Sequence, residues 1–560
     1  MMNKKNSKLI LEEYENKFLY EKSKTNLNIE FNRIAFIFFV FTMISIIFSI
    51  QLFHLGSLKK ENEAKPLIVK KNYRADVIDR NGNYLVKSVS SIDIGISPID
   101  VIDKKRLLIN LKWIFPKKNY TEIKKKLNKN KFFKFEKNIS QINYEKIMSL
   151  GDKAIRPEEK LTRLYPQKNL FSHIIGQIDD DNNGISGIEK SFDKELKSST
   201  EPLSLTVDTD IQFLIREELV RFHSIFRSKG SVAILMNVNN GEIISMVSYP
   251  DFDLNKRETL EDLNFINRAS KGVYELGSVF KTFTIAAGLE AGLIEVDTEF
   301  LNLEKKLKCG KNTIGEYNNE IPSNLTVEQI LIRSGNIGSV RIGQKLEIDK
   351  LKSFLNKIGI LKKINFDIEE VGKPIPFRWG KCKLATVSFG HGITTTPLQL
   401  AKGYAIVTNG GFDIIPSLIK KNLDLTQNKK RIIKEGISKK INPILRKIVT
   451  KKEGTAGLAN IEGYEIGGKT GTAQKTITGG YSRAKVNTFV AVFPISKPKY
   501  VMVVLLDEPK TSGDYIYEYR NQKGSYKGTP YNTAGWTSVE VAGKIIEKIG
   551  PILATKYIEN

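Results

Sequence analysis

Cysteine is almost absent from this chain: Cys309 and Cys382 are the only two in 560 residues. A disulfide framework is thereby excluded, one bridge at most can form, and an apolar core must carry stability. Histidine is also scarce, four in all, and none falls in the three motifs that carry the chemistry described below. Acidic residues are outnumbered, 62 Asp+Glu against 88 Lys+Arg, for a formal charge of +26. Such a balance suits an anionic partner such as nucleic acid, lipid headgroups or an acidic polymer. No nucleic-acid motif accompanies it, however, and Lys, Asn and Ile are abundant throughout, as AT-rich codon usage would produce. No internal repeat and no low-complexity linker is present. The length points to two or three domains.

Charge is missing altogether from residues 34–55, IAFIFFVFTMISIIFSIQLFHL, a run of 22 residues. At ~1.5 Å per residue it spans ~33 Å, enough to cross a hydrocarbon core of ~30 Å. The run is too long for a cleavable signal peptide and no small-residue cleavage site follows. An uncleaved single-pass anchor is expected. Basic residues flank it on both sides: Lys17, Lys22, Lys24 and Arg33 before, Lys59, Lys60, Lys65, Lys70, Lys71 and Arg74 after. That count leans slightly against export of the carboxy-terminal part, a weak rule for long domains.

Residues 56–200 mix short strand-like runs with a basic stretch, Asp103 to Lys137, that holds 13 Lys/Arg and three acids. Much of it, for example TEIKKKLNKNKFFKFEK, reads as helix with a solvated face. No nucleophile, metal cluster or phosphate loop appears there, which suits a scaffold. From about residue 201 the pattern changes. LSLTVDTDIQFLIREEL reads as strand, Asp-rich turn and helix, and SVAILMNVNNGEIISMVSYP as a hairpin through Asn-Asn-Gly. NTFVAVFPI and YVMVVLLDEP supply two more apolar strands near the other end. A mixed α/β (α+β) domain with antiparallel pairing follows, its sheet uniting both ends around the helices between.

Three motifs stand in order: Ser278-Val279-Phe280-Lys281, Ser334-Gly335-Asn336 and Lys469-Thr470-Gly471, separated by 56 and 135 residues. They combine a nucleophile, two candidate proton carriers and an anion clamp, a set for acyl transfer through a serine ester without a catalytic histidine. SVFKTFTIAAGLEAG has helical character, which puts Ser278 near a helix N-terminus, where backbone N–H groups favour negative charge. Lys281, three residues on, shares its face. It can act as a base only when neutral, and burial together with the charge of Lys469 would lower its pKa. The S-x-x-K spacing alone means little, since five more copies occur, at Ser57, Ser191, Ser417, Ser482 and Ser496. Ser334-Gly335-Asn336 follows the helical run LTVEQILIR and, read alone, is a turn with Ser and Asn as caps. IGGKTGTA reads as a strand whose glycines let a substrate backbone approach. Lys469 with the hydroxyls of Thr470 and Thr472 would clamp a carboxylate.

The ordered triple resembles that of the penicillin-binding proteins and serine β-lactamases. The flanking pieces resemble class B penicillin-binding proteins: Arg74-Ala75-Asp76-Val77-Ile78-Asp79-Arg80-Asn81-Gly82, Arg163-Leu164-Tyr165-Pro166, Gly184-Ile185-Ser186-Gly187-Ile188-Glu189, Gly390-His391-Gly392 and Thr396-Pro397-Leu398-Gln399-Leu400. The Asn-Ile-Gly ending of the second motif and the GHGITTTPLQL run resemble the division-specific, FtsI type; the elongation type more often carries Asp in the second motif.

This resemblance implies a cytoplasmic tail (1–33), an anchor (34–55), a dimerisation or pedestal domain (56–200) and a transpeptidase (201–556) of the serine D,D-peptidase fold, a five-stranded antiparallel sheet with helices, facing the outer side of the inner membrane. It implies that Ser278 attacks the carbonyl between the terminal D-alanines of a peptidoglycan stem peptide while Lys281 takes its proton. D-alanine leaves, protonated via Ser334 or Lys469, and an amine from a neighbouring stem closes a cross-link. Backbone N–H groups of Ser278 and Thr472 would form the oxyanion hole. Asn336 would hold the substrate amide and orient Lys281, and Thr470, Gly471 and Thr472 would line the carboxylate site. Implied partners are β-lactams, which would bind covalently, a lipid II polymerase of the FtsW type and other divisome proteins; no metal or organic cofactor is implied.

Three positions depart from the family's pattern: Leu276 for proline, Ala75 for glycine and Lys168 for glycine. None touches a reacting group. His391 is given no role by this chemistry. The same triple also serves β-lactamases and penicillin sensors, and a scaffold could keep the fold without chemistry. Against these stand the anchor with its long pedestal, the absence of any motif for a deacylating base, and the intact catalytic groups.

Overall fold

The computed structural model describes residues 33–54, 73–256, 263–310, 312–420, 430–477, 480–519 and 524–556. The tail before Arg33 and the lysines expected between the anchor and Arg74 lie outside the described residues, as does the S-x-x-K copy at Ser57. Helix α1, Arg33–His54, is long and apolar enough to cross a membrane and none of it is buried against protein. Its ends fall one residue earlier than the apolar run suggests. From residue 72 onward the chain forms a second unit, described by itself.

That unit begins with strand β1, Val77–Ile78, paired with the 13-residue β2, Tyr84–Ile96. Beyond β2 come α2 (Lys104–Ile114), α3 (Tyr120–Asn128), β3 (Phe133–Glu136), α4 (Gln141–Met148) and β4 (Ile155–Leu164). β2 runs antiparallel to β4 from Lys87↔Leu164 to Ile96↔Ile155, and β3 adds to its far end. There a separate apolar core forms: Leu107 and Leu111 from α2, Ile123 and Leu127 from α3, with Ile94, Phe135 and Ile147. Both helical pairs are spaced i, i+4, so each basic helix buries one leucine-rich face and leaves its lysines in water. Asp103 and Asn119 cap the two helices by accepting backbone N–H bonds.

One expectation fails here. Residues 121–137 are not one helix: α3 stops at Asn128, Asn130 takes a φ of 49°, and Phe133–Glu136 is a strand. The alternation of buried Phe135 with exposed Lys134 has period two, which outweighs the helical propensity of the lysines.

The next strand, β5 (Leu203–Ser204), pairs in parallel with β1, so the pedestal sheet takes in residues just past 200. Helix α5, Thr209–Ile225, follows with Asp208 as N-cap, as the Asp-rich turn predicts. Asp79, in the Arg74–Gly82 turn, accepts from Thr209 N and Oγ1 and thereby ties that turn to the helix start.

The larger region is built on five antiparallel strands: β6 (Gly230–Asn237), β7 (Ile243–Tyr249), β10 (Gly467–Ile477), β11 (Gly480–Phe493) and β12 (Tyr500–Asp507), in the order β10-β11-β12-β6-β7. β6 and β12 pair from Gly230↔Asp507 to Asn237↔Tyr500, so the two ends of the domain meet in one sheet as expected. Every residue of β12 is buried, as a central strand covered on both faces requires. The hairpin turn holds Gly241 at φ +79°, where a Cβ would lie 2.3 Å from Ile415 O. Helix α12, Ser538–Lys556, packs with α5 and the sheet.

Between β7 and β10 lie the helices that carry the motifs: α6 (Lys281–Glu290), α7 (Val327–Ile332), α8 (Asn336–Lys357), α9 (Lys381–Val387), α10 (Pro397–Thr408) and α11 (Glu435–Thr450). Residues 281–289 of α6 are all buried, which its apolar sequence requires. A small hairpin, β8 (Lys306–Cys309) with β9 (Asn312–Gly315), precedes α7. Cys309 is disulfide-bonded to Cys382 in the first turn of α9.

Candidate active site

Ser278 sits in a single 3-10 turn, Gly277–Phe280, that leads directly into α6. Gly277 has φ +62°, and a Cβ there would stand 2.9 Å from Thr472 O; one on Gly471 would be 2.2 Å from Leu276 O. Backbone contact between the Ser278 turn and β10 therefore depends on these two glycines. This corrects the reading of the strand glycines as room for substrate. Gly467, Gly468 and Gly471 are crowded by Ile495, Phe489 and Leu276 of the protein itself. Gly390, φ +91°, closes on the same turn: its Cβ would meet Gly277 O at 1.9 Å.

The three motifs converge. Ser278 remains partly exposed whereas Lys281, the first residue of α6, is fully buried. Its Nζ donates to Ser334 O at 2.5 Å, Ser334 Oγ at 3.2 Å and Asn336 Oδ1 at 2.7 Å. Lys469, on the edge strand β10 and equally buried, donates to the same Ser334 Oγ at 2.8 Å and to Thr470 O at 3.0 Å. The Ser334 hydroxyl thus bridges two amines. Ser334 adopts φ +57°, uncommon for a residue with a Cβ, on the turn between α7 and α8. Ser and Asn therefore do more there than cap: Gly335 is the N-cap residue, and both side chains face Lys281. Thr470 Oγ1 lies 2.6 Å from Thr455 Oγ1, and Thr472 Oγ1 accepts from Ala534 N at 2.9 Å, which leaves its proton for an anion.

Burial decides the electrostatics. It pushes the Lys281 amine down to about 7, opposed by the nearby Glu316 carboxylate. Lys469 is held well below the usual lysine range, first by burial and then by the charge of Lys281. Of the two causes expected for Lys281, burial holds and the charge of Lys469 does not figure; desolvation is the main cause for both lysines. Among the described residues no carboxylate pairs with either lysine.

Two supporting residues had no signal in the sequence. Tyr404, from α10, donates from Oη to Val279 O at 2.8 Å and pairs with Thr282 Oγ1 at 2.9 Å, pinning the turn behind Ser278. Glu316 accepts the N–H groups of Asn336 and Ile337 at 2.6 and 2.8 Å. His391 packs its ring at a tilt against Phe389 and Tyr481; burial, then the charge of Lys281, holds it below the usual histidine range. Of the three departures, Lys168 takes φ +52°, in the left-handed region that favours glycine. Ala75 and Leu276 are both buried.

A partly exposed serine at a helix start, backed by a buried amine that can be neutral, can take and pass on an acyl group. The class this defines is the active-serine acyltransferases that use lysine in place of histidine. Comparison with known families agrees. The model for the penicillin binding protein transpeptidase domain matches residues 231–527, and that for the penicillin-binding protein dimerisation domain matches residues 70–219. The probable peptidoglycan D,D-transpeptidase FtsI of Caulobacter vibrioides is 30% identical over 497 residues, covering 86% of this chain and 82% of that protein. Peptidoglycan D,D-transpeptidase FtsI of Escherichia coli is 27% identical over 554 residues, 91% and 88% of the two chains. Stage V sporulation protein D of Bacillus subtilis is 29% identical, covering 81% and 77%. The chain belongs to the penicillin-binding protein transpeptidase family, with the dimerisation domain and transpeptidase that define its two-domain members. It is by that membership a peptidoglycan transpeptidase.

Proposed function

We propose that this protein is the division-type D,D-transpeptidase that cross-links septal peptidoglycan. Its anchor would leave the tail (1–33) in the cytoplasm and hold the pedestal (56–200) and transpeptidase (201–556) in the periplasm. Relatives named FtsI over most of the chain support the division type, as does Asn336 in the second motif.

In this reading Ser278 Oγ attacks the carbonyl of the penultimate D-alanine of a stem peptide, and Lys281 Nζ accepts the hydroxyl proton. The oxyanion forms against the backbone N–H groups of Ser278 and Thr472, which belong to two segments whose backbones approach closely at Gly277 and Gly471. As the C–N bond breaks, the proton passes through Ser334 Oγ, bridged to Lys281 and Lys469, to the leaving amine of D-alanine. A stem-peptide amine then attacks the Ser278 ester, gives its proton back along the same route, and frees the serine. Asn336 holds the donor amide; Lys469, Thr470 and Thr472 hold its carboxylate along the edge strand, with Gly471 between them. Penicillin would enter the same path and stop at the ester. An FtsW-type polymerase would supply the glycan strands.

The single observation that carries this reading is the full burial of Lys281, bonded among the described residues to a hydroxyl, a carbonyl and an amide rather than a carboxylate, which holds its amine at about 7 and makes it a base at neutral pH. Mass spectrometry of the penicillin-treated protein tests it. A lasting adduct on the peptide that contains Ser278 is expected; rapid penicillin turnover or an adduct on another serine would overturn it. Depletion that yields filaments supports the septal role, whereas rounded cells would assign the chain to elongation.

A further inference from the structure

Helix α8 begins at the second motif, yet its N-cap Gly335 offers no side chain to its first N–H groups. The cap comes from 20 residues upstream. Glu316 Oε2 accepts from Asn336 N at 2.6 Å and Oε1 from Ile337 N at 2.8 Å. The preceding carbonyl, Gly315 O, accepts from Asn336 Nδ2 at 2.8 Å. Residues 315 and 316 thus hold both the backbone and the amide nitrogen of Asn336, and the amide oxygen is left to face Lys281 Nζ at 2.7 Å. An amide turned over would set its NH2 group against the lysine amine and lose that acceptor.

The strand that delivers these residues is itself fastened. Gly315 ends β9, paired with Lys306 of β8, and the far end of the hairpin is joined through Cys309 to Cys382 of α9. The residue after α9, Ser388, accepts through its carbonyl from Thr284 Oγ1 of α6, the helix that carries Lys281. A closed path therefore runs from the lysine helix through α9, the disulfide and the hairpin to Asn336.

We propose that Glu316 is a positioning residue for acyl transfer, holding the Asn336 amide oxygen on Lys281, and that the Cys309–Cys382 bridge acts on the reaction through it. This rests on the reading of Ser278 as the acylated residue. Among the described residues, the titratable groups that face Lys281 are Glu316 from the hairpin, Lys469 from β10 and His391 after α9. Glu316 is the one that favours the protonated amine.

The test is the rate of penicillin acylation of the full-length, detergent-solubilised chain across pH, in the wild type and in Glu316→Gln and Glu316→Asp. Gln can accept only one of the two N–H bonds and carries no charge. Its plateau rate should fall about tenfold, in line with the loss of a charge-assisted hydrogen bond, and the midpoint of its rising limb should move to lower pH. Asp keeps the charge but shortens the reach, so it should lose plateau rate with its midpoint nearer that of the wild type. A lowered melting temperature with plateau and midpoint unchanged would reduce Glu316 to a cap and overturn the proposal. Reduction of the disulfide should slow the wild type and leave Glu316→Gln no slower than before; equal loss in both, or none in the wild type, would overturn the role of the bridge. Should the Gln variant fail to fold, reduction of the wild type decides alone. A wild type that penicillin does not acylate at Ser278 would instead sink the functional reading.

Discussion

Two sets of buried cations in this protein meet opposite fates. In the pedestal, Arg74 and Arg163 are shielded from water and converge on Glu189, whose two oxygens receive one Nε each; Arg74 also bonds Asp193 at 2.6 Å. Desolvation pushes the Arg74 guanidinium down, but Glu189 and Asp193 outweigh it and hold it above its ordinary value. In the active site Lys281 and Lys469 are as deeply buried, but they find a hydroxyl, an amide and carbonyls instead of carboxylates, and both are depressed. All four side chains are shielded from water, and the kind of cation together with its partner decides whether the charge survives. The first arrangement locks a scaffold, and the second makes a base.

Breaking the pedestal cluster should have the largest effect. Glu189→Ala takes the shared carboxylate from two buried arginines and leaves Arg74 with Asp193, at a cost of about 3–5 kcal/mol, which thermal unfolding of the solubilised chain would register as a large fall in melting temperature or a loss of folded protein. The reciprocal change at the active site is Lys281→Arg. A guanidinium stays protonated at any useful pH, so penicillin acylation should drop roughly 10²- to 10⁴-fold while circular dichroism stays unchanged. A smaller change sharpens the contrast: Asn336→Asp would set a carboxylate where the amide oxygen now lies 2.7 Å from Lys281. The rising limb of acylation should then move up by about one pH unit or more, with rate recovered at alkaline pH. The smallest effect is expected from Tyr404→Phe, which leaves Val279 O without its donor and should cost about 1 kcal/mol of stability.

Linkage gives the comparison a sign. The Lys281 amine titrates at about 7 in the fold against an ordinary 10.5. Between those values the unfolded chain holds the proton that the folded one has lost, so this site's contribution to stability rises with pH across that window. Arg74, raised rather than lowered, contributes no such slope near neutrality.

What could be read from the residues alone follows the same division between local and distant signals. The apolar runs of β6, β7, β11 and β12, the Asn-Asn-Gly turn and the three motifs are local patterns, and each appears where its residues place it. The convergence of Ser278, Lys281, Ser334, Asn336 and Lys469 followed from a resemblance to known motifs, since no periodicity brings positions so far apart together. Glu316 and Tyr404 come from distant parts of the chain and nothing local marks either, whereas Arg74, Arg163 and Glu189 stood out only as parts of family motifs and Cys309 and Cys382 only as the one possible pair, without a sign of what each would meet. Where local signals competed, as at Phe133–Glu136, strand alternation prevailed over the helical preference of lysine. The glycines of the third motif were misread for the same reason: what fills the space beside them comes from other segments.

The most direct test of this account is the pH dependence of penicillin acylation at Ser278 in the wild-type chain. The expected result is a rate that falls as pH drops through about 7, the value at which the buried Lys281 gains its proton, and that is level above it. A rate that is flat from about pH 6 to 9, or that rises only near the ordinary lysine value, would contradict the claim that the buried Lys281 is the base.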